Sequence, residues 1–198
     1  AFTLVAQIRP NLPEAISGIL WFGVDDANTA VYVPMYCSIN SVPNCFSPDN
    51  GDMYNFSWTS AFWVHNWVAN MAYNRYNPMI GDIRKVQGDL ENQFEKEVAT
   101  IDELAVAMYN VNEEAAREML TTYSCSAAEY STTAWKELGE FLMVKFLDGN
   151  VKSQNPDGSF VTNEYGLPDK IQFPGYSKEY YEWIVSKTGN RLLLKEVK

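Results

Sequence analysis

Residues 21–36, WFGVDDANTAVYVPMY, set two apolar segments around the polar turn Asp26-Ala27-Asn28-Thr29. Read outward, GILWFGVD (18–25) and AVYVPMYCS (30–38) are rich in β-branched and aromatic residues, the composition of paired strands. Both are apolar at nearly every position, which predicts a hairpin covered on both faces. Pro34 has no N–H for a ladder, so it marks an edge or a bulge. A hairpin of this kind is marginal alone in water, because its outer edges present unpaired backbone groups. The rest of the sequence offers two weak strand candidates, around Ser159–Thr162 and in the tail RLLLKEV (191–197). The sheet is therefore expected to be completed by chain outside these 198 residues or by a second molecule.

Downstream, residues 39–56 carry prolines, asparagines and a glycine without a helical period and read as a long loop. Trp58–Tyr76 is a helical stretch with aromatics nearly all round, the pattern of a helix buried on several sides. Asn77-Pro78 breaks it, and an amphipathic helix follows with Ile80, Ile83, Val86, Leu90 and Phe94 inward. Capping boxes at Thr100–Glu103 and Ser126–Glu129, and a cap at Asn112, predict three further helices, the last ending at Asp148-Gly149. Residues 150–175 read as loop, and a final helix is expected from about Lys178 to Ser186. The chain is thus expected to be α+β, a single partial domain over 1–198. Residues 1–56 give the hairpin and long loop, 57–149 a helical layer, and 150–198 loop, helix and a possible terminal strand.

The composition, 46% apolar with 20% charged, is that of a globular chain. A net charge of −10 with no gathered basic patch argues against nucleic acid as a partner. No apolar run approaches the length of a membrane span, so a soluble chain is expected. Cys37, Cys45 and Cys125 form no C-x-x-C pair; they are either three separate thiols or a Cys37–Cys45 bridge with Cys125 left over. A bridge would place the chain in an oxidising compartment, secreted or periplasmic.

Three blocks carry a resemblance: VAQIRPNLPEAISGILWFGVDDANTAVYVPMY (5–36), SAFWVHNWVANMAYNRYNPMIGDIRKVQ (60–87) and AWKELGEFLMVKFLDG (134–149). In this order and spacing the chain resembles the C-terminal half of the cysteine dipeptidases of the dipeptidase A type. These are N-terminal-nucleophile hydrolases related to penicillin V acylase. The resemblance implies the C-terminal portion of an αββα sandwich, in which the N-terminal half of the protein supplies the other strands. It also implies hydrolysis of dipeptides or small peptide-like amides, without metal or cofactor. The nucleophile would be a cysteine exposed at the N-terminus by processing, whose own α-amino group activates its thiol. Position 1 here is Ala, and none of the three cysteines stands at a free N-terminus. The chain alone is expected to be inactive, an expressed C-terminal portion or a proteolytic remnant. AFTL (1–4) also departs from the threonine and histidine that many relatives carry there.

Each candidate site residue has a plainer reading beside it. Arg9 suits bidentate capture of a substrate carboxylate, or a structural salt bridge. Thr3 and Gln7 are candidates for pocket lining. Asp25 is placed to bind an amine or act as an acid; with Asp26 it equally suits a turn with side-chain-to-backbone bonds. His65, the single histidine, reads as a core residue. Trp58, Trp63, Trp67, Tyr73 and Tyr76 make either a stacking platform or core. A rival function is a non-catalytic, secreted binding module for glycans or peptides, which aromatics on an exposed strand face would favour.

Overall fold

The computed structural model describes residues 1–189 and Arg191, an α+β arrangement with one three-stranded antiparallel sheet and five α-helices. Its strands are β1 (Phe2–Ile8), β2 (Gly18–Val24) and β3 (Val33–Tyr36), in the order β1-β2-β3. The helices are α1 (Glu14–Ser17), α2 (Ala61–Asn74), α3 (Tyr76–Tyr109), α4 (Glu113–Lys145) and α5 (Lys178–Lys187). Two compact units result, Ala1–Met143 and the part from Val144 on.

The predicted hairpin is present as β2 and β3, paired from Ile19↔Tyr36 to Phe22↔Val33. Its turn is closed by Thr29, whose N–H reaches Asp26 O at 3.0 Å and whose hydroxyl meets Asp26 Oδ2 at 3.3 Å. The expectation that this chain encodes no firm neighbour for the hairpin is corrected by β1. Phe2–Ile8 pairs along the whole of β2, from Phe2↔Val24 to Ile8↔Gly18. Four of the seven residues of FTLVAQI are β-branched or aromatic, which is a strand signal; its position at the head of the chain hid it. Gly23 permits the close approach: a Cβ there would sit 2.8 Å from Thr3 Cγ2.

Exposure changes steadily across the sheet face that carries the even-numbered side chains of β1 and β2 and the odd-numbered ones of β3. On β3, Val33 and Met35 are buried; on β2, Leu20, Phe22 and Val24 are half-buried; on β1, Phe2, Leu4 and Ile8 are exposed, at 66%, 47% and 77%. The opposite face rests on helices, with Ile19 and Tyr36 fully buried in a core with Ala15, Ile16, Val98, Ala105 and Leu120.

Two long helices replace the expected series of shorter ones. α3 runs unbroken through Thr100–Glu103, its buried Ile83, Leu90, Phe94, Val98 and Ala105 keeping one face inward. The expected break before the second helix is present at Arg75, two residues ahead of Asn77, and Pro78 lies in the first turn of α3, where a missing N–H costs nothing. α4 is likewise continuous through Ser126–Glu129 and starts where Asn112 caps it, Oδ1 accepting from Ala115 N at 3.2 Å. The stretches read as internal caps serve tertiary contacts: Asp102 receives Arg9 and Tyr36, and Glu129 receives Cys45 N–H at 2.9 Å.

α2 also differs from expectation in what it buries. Ala61, Val64, His65, Val68, Ala69 and Ala72 face inward. Tyr73 is exposed, while Trp63 and Trp67 are half-buried in a ring cluster with Phe56 and Trp58, itself 47% exposed. Small residues bring α2 close to its neighbours, and the rings seal the rim. Trp67 lies on Gly139 of α4, where an added Cβ would meet the ring at 2.3 Å.

The unit from Val144 on holds isolated bridges (Val151↔Gln172, Gln154↔Phe160, Thr162↔Pro168) in place of a regular hairpin. α5 follows, capped by Ser177, with none of its residues buried. The suggested terminal strand, 191–197, lies outside the described residues apart from Arg191.

Candidate functional site

Ladder geometry determines what each border of the sheet offers. In an antiparallel pair, residues that exchange both backbone bonds alternate with residues whose N–H and C=O point away from the partner. Arg9 N donates to Ser17 O and Asp25 N to Ala1 O, both at 2.9 Å, so the odd-numbered residues of β1 face β2. Phe2, Leu4, Ala6 and Ile8 then direct their N–H and C=O groups outward, and no described residue bonds them. On the other side, Cys37 N donates to Gly18 O at 3.0 Å, which turns Tyr32, Pro34 and Tyr36 outward from β3. That border is closed. Tyr32 N–H is taken by Glu91 Oε1 and Tyr36 N–H by Ser124 Oγ, each at 3.1 Å, and Pro34 has no N–H. Pro34 thus marks an edge, one of the two alternatives read from the sequence.

Arg9, just past β1, is held on every side. Its Nη1 pairs with Asp102 Oδ2, its Nη2 donates to Ile16 O at 2.5 Å, and its Nε reaches Ser17 O at 3.4 Å. The guanidinium sits 5.7 Å from the Tyr36 ring, whose hydroxyl donates to Asp102 Oδ1 at 2.7 Å. Burial, reinforced by the Asp102 carboxylate, pushes the Tyr36 hydroxyl far above the usual phenol range. This corner is a structural knot joining sheet to helix.

The other sequence candidates lie apart. Thr3 Oγ1 is 3.1 Å from Tyr32 OH, and Gln7 Oε1 accepts from Trp21 Nε1 at 2.8 Å, both on the face toward α3. Asp25 ends β2 with φ of 69°, a left-handed conformation that Asp tolerates, and accepts both Nδ2 bonds of Asn66 at 3.3 and 3.2 Å. Near it, on the even-numbered face, a cavity of about 410 Å³ is lined by Phe2, Phe22, Val24, Phe46, Met53 and Phe62. The loop 39–56 supplies one wall.

Nothing in these settings is primed to attack a carbonyl. All three cysteines are free thiols, and burial pushes Cys45 up to about 12. His65 is buried, stacked on Trp135 at 5.0 Å, and burial lowers its imidazole to about 3, so it is neutral in the physiological range. Among the described residues no group of three or more His, Cys, Asp or Glu is placed to hold a metal ion. No described helix is long and apolar enough to cross a membrane. What the molecule offers is walls: an apolar face, a cavity and one open sheet border. Sequence reasoning missed Asp102, Glu91 and Ser124, because helical polar residues give no sign of the distant groups they meet.

Comparison with known proteins gives this geometry a context. The chain is 26% identical over 97 residues to a probable dipeptidase A of Streptococcus pyogenes serotype M3 (strain SSI-1), covering 49% of this chain and 19% of that protein. A probable dipeptidase A of S. pyogenes serotype M18 (strain MGAS8232) gives the same identity over 97 residues, with 18% of its length covered. The chain thus spans about a fifth of the length of the curated relatives it matches. Residues 1–89, which hold the whole sheet, α2 and the start of α3, match peptidase family C69, and over that stretch the resemblance to the dipeptidase A type holds.

Proposed function

We propose that this chain is the C-terminal, non-nucleophile portion of a cysteine-type dipeptidase with an αββα sandwich fold. The observation that carries the reading is the match of residues 1–89 to peptidase family C69, joined to a sheet that is open on one side. The exposed face of Phe2, Leu4 and Ile8 is where a second sheet would stack, and covering each of these side chains would contribute about 1.5–3 kcal/mol. The N-terminal half of the protein is the natural supplier of that sheet. Exposed Tyr180, Tyr181 and Trp183 on α5 give the unit from Val144 on the same unfinished character. The strand side chains of this face are aliphatic beside two phenylalanines, which favours packing over a glycan-binding module.

In the completed enzyme, an N-terminal cysteine from the missing half would attack the dipeptide carbonyl, its thiol proton passing to its own α-amino group. The tetrahedral intermediate would expel the C-terminal residue as an amine, which takes that proton, as an acyl-enzyme forms; water would then hydrolyse the thioester, releasing the N-terminal residue and restoring the thiol. This chain would contribute the wall of the substrate pocket. Of the sequence candidates, Thr3, Gln7 and Asp25 would be the contributors to that wall, whereas Arg9 would act by holding β1 in position.

The test compares the polypeptide extended upstream through its N-terminal cysteine with these 198 residues alone. Thiol-dependent dipeptide hydrolysis by the extended form, abolished by replacing that cysteine with alanine, and background turnover by the shorter chain are the expected results. Turnover by the shorter chain, or activity that survives the cysteine replacement, would overturn the reading.

A further inference from the structure

The sheet border at β1 is open in a chemically specific way. Outward N–H and C=O groups recur at Phe2, Leu4, Ala6 and Ile8, and β1 is exposed on both faces, Val5 on the helix side at 53%. On the helix side of the sheet lie two adjoining hollows of about 250 and 600 Å³ that share Val5, Trp21 and Glu95, the first reaching from β1 across to Tyr32 and the second following β1 along Val5, Ala6 and Gln7. Glu91 and Glu95, one helical turn apart on α3, line the first of them. Glu91 is partly buried, and its carboxyl is raised by that burial, with the charge of Glu95 adding to the rise. Among the described residues neither carboxylate has an ion-pair partner. The nearest base on β1's side, Arg9, is committed to Asp102.

We propose that the outer border of β1 docks an extended strand from the remainder of the longer polypeptide, and that this strand carries a lysine or arginine seated over Glu91 and Glu95. The inference deepens the reading above by naming the chemistry of the strand that continues the sheet. Any strand laid beside β1 covers the hollows and strips water from two like charges, an arrangement that is unfavourable unless the newcomer brings a cation. Its side chains must alternate: apolar toward the face of Phe2, Leu4 and Ile8, polar with one cation toward α3. A second copy is a poor fit, because its β1 segment holds a single base, Arg9, already engaged, and it would add another net charge of −10.

Short peptides of about eight residues, alternating threonine and valine, test this, one with a central lysine and one with glutamate in its place. Each is titrated into the 198-residue chain while amide hydrogen exchange is followed residue by residue. The lysine peptide is expected to slow exchange at Phe2, Leu4, Ala6 and Ile8 by about tenfold or more, leaving Thr3, Val5 and Gln7 unchanged, and the glutamate peptide to have no effect. Glu95→Lys should reverse that preference. Equal protection by both peptides, no protection by either, or concentration-dependent protection without peptide that tracks a dimer in sedimentation would overturn the proposal. Peptide binding needs no catalysis, so an inert extended polypeptide would sink the dipeptidase reading while leaving the edge chemistry standing.

Discussion

The two borders of the same small sheet are built on opposite plans. At β3, side chains from two helices meet the outward N–H groups: Glu91 takes Tyr32, Ser124 takes Tyr36, and Pro34 presents none. At β1, four consecutive outward positions have no described partner, and the side chains there are apolar and exposed. A finished edge is protected by exactly such plugs, since a bare one templates pairing with another chain. The contrast teaches that the chain plugs its own border at β3 and leaves the one at β1 open.

The largest effect is expected at the corner that anchors β1. Asp102→Ala leaves Arg9 without its ion pair and the Tyr36 hydroxyl without its acceptor in a largely buried setting, at a cost of about 3 kcal/mol. The urea midpoint should fall accordingly, while Asp102→Asn, which still accepts from Tyr36, should fall less. An unchanged midpoint for Asp102→Ala would mean that β1 is held by its ladder to β2 alone.

A matched pair of variants addresses the borders directly. Ser124→Ala removes the acceptor from a buried N–H at β3 and should cost about 1–3 kcal/mol. Ala6→Pro removes an outward N–H at β1 that faces only water, and should cost about 1 kcal/mol or less in this chain. In the polypeptide extended upstream the order should invert, Ala6→Pro becoming the more damaging because the N–H is then needed in a ladder. Equal costs in the 198-residue chain, measured by urea unfolding, would erase the distinction between the two edges.

The smallest effect concerns pH. Burial raises the folded-state Glu91 carboxyl above its unfolded value, so the folded chain binds the extra proton. The contribution of this group is therefore present at acid pH and is lost as pH rises from the ordinary glutamate range through the raised value. Glu91→Gln, which retains an acceptor for Tyr32 N–H, should flatten that decline in the unfolding midpoint. A parallel pH profile for the two proteins would show that Glu91 is already compensated, and would remove the reason for a cation on the incoming strand.

Much of this architecture could be read from particular residues. The hairpin followed from the apolar runs around Asp26–Thr29, the edge from Pro34, the start of α4 from Asn112, and α5 from Lys178 onward. The misreadings share one cause. Thr100–Glu103 and Ser126–Glu129 have the form of helix caps, but a cap motif competes with a continuing apolar face, and Val98, Ala105, Leu120 and Leu138 keep α3 and α4 running through. Asp102, inside the first of these stretches, and Glu129, read as a capping residue of the second, instead receive Arg9, Tyr36 and Cys45 from far along the chain. Likewise Arg9 looked free to hold a carboxylate until packing supplied Asp102 and two carbonyls.

By itself, then, the sequence determined the β2–β3 hairpin, the helical middle of the chain and α5, and that the central strands are too apolar to stand in water, because periodicity and side-chain chemistry are local properties. Only the tertiary structure decided that a third strand comes from this chain, that one border is plugged and the other bare, and that Glu91, which plugs the first, shares a hollow with Glu95 and with Val5 of β1. Those facts depend on which distant groups arrive at each backbone N–H, and no local pattern encodes that meeting.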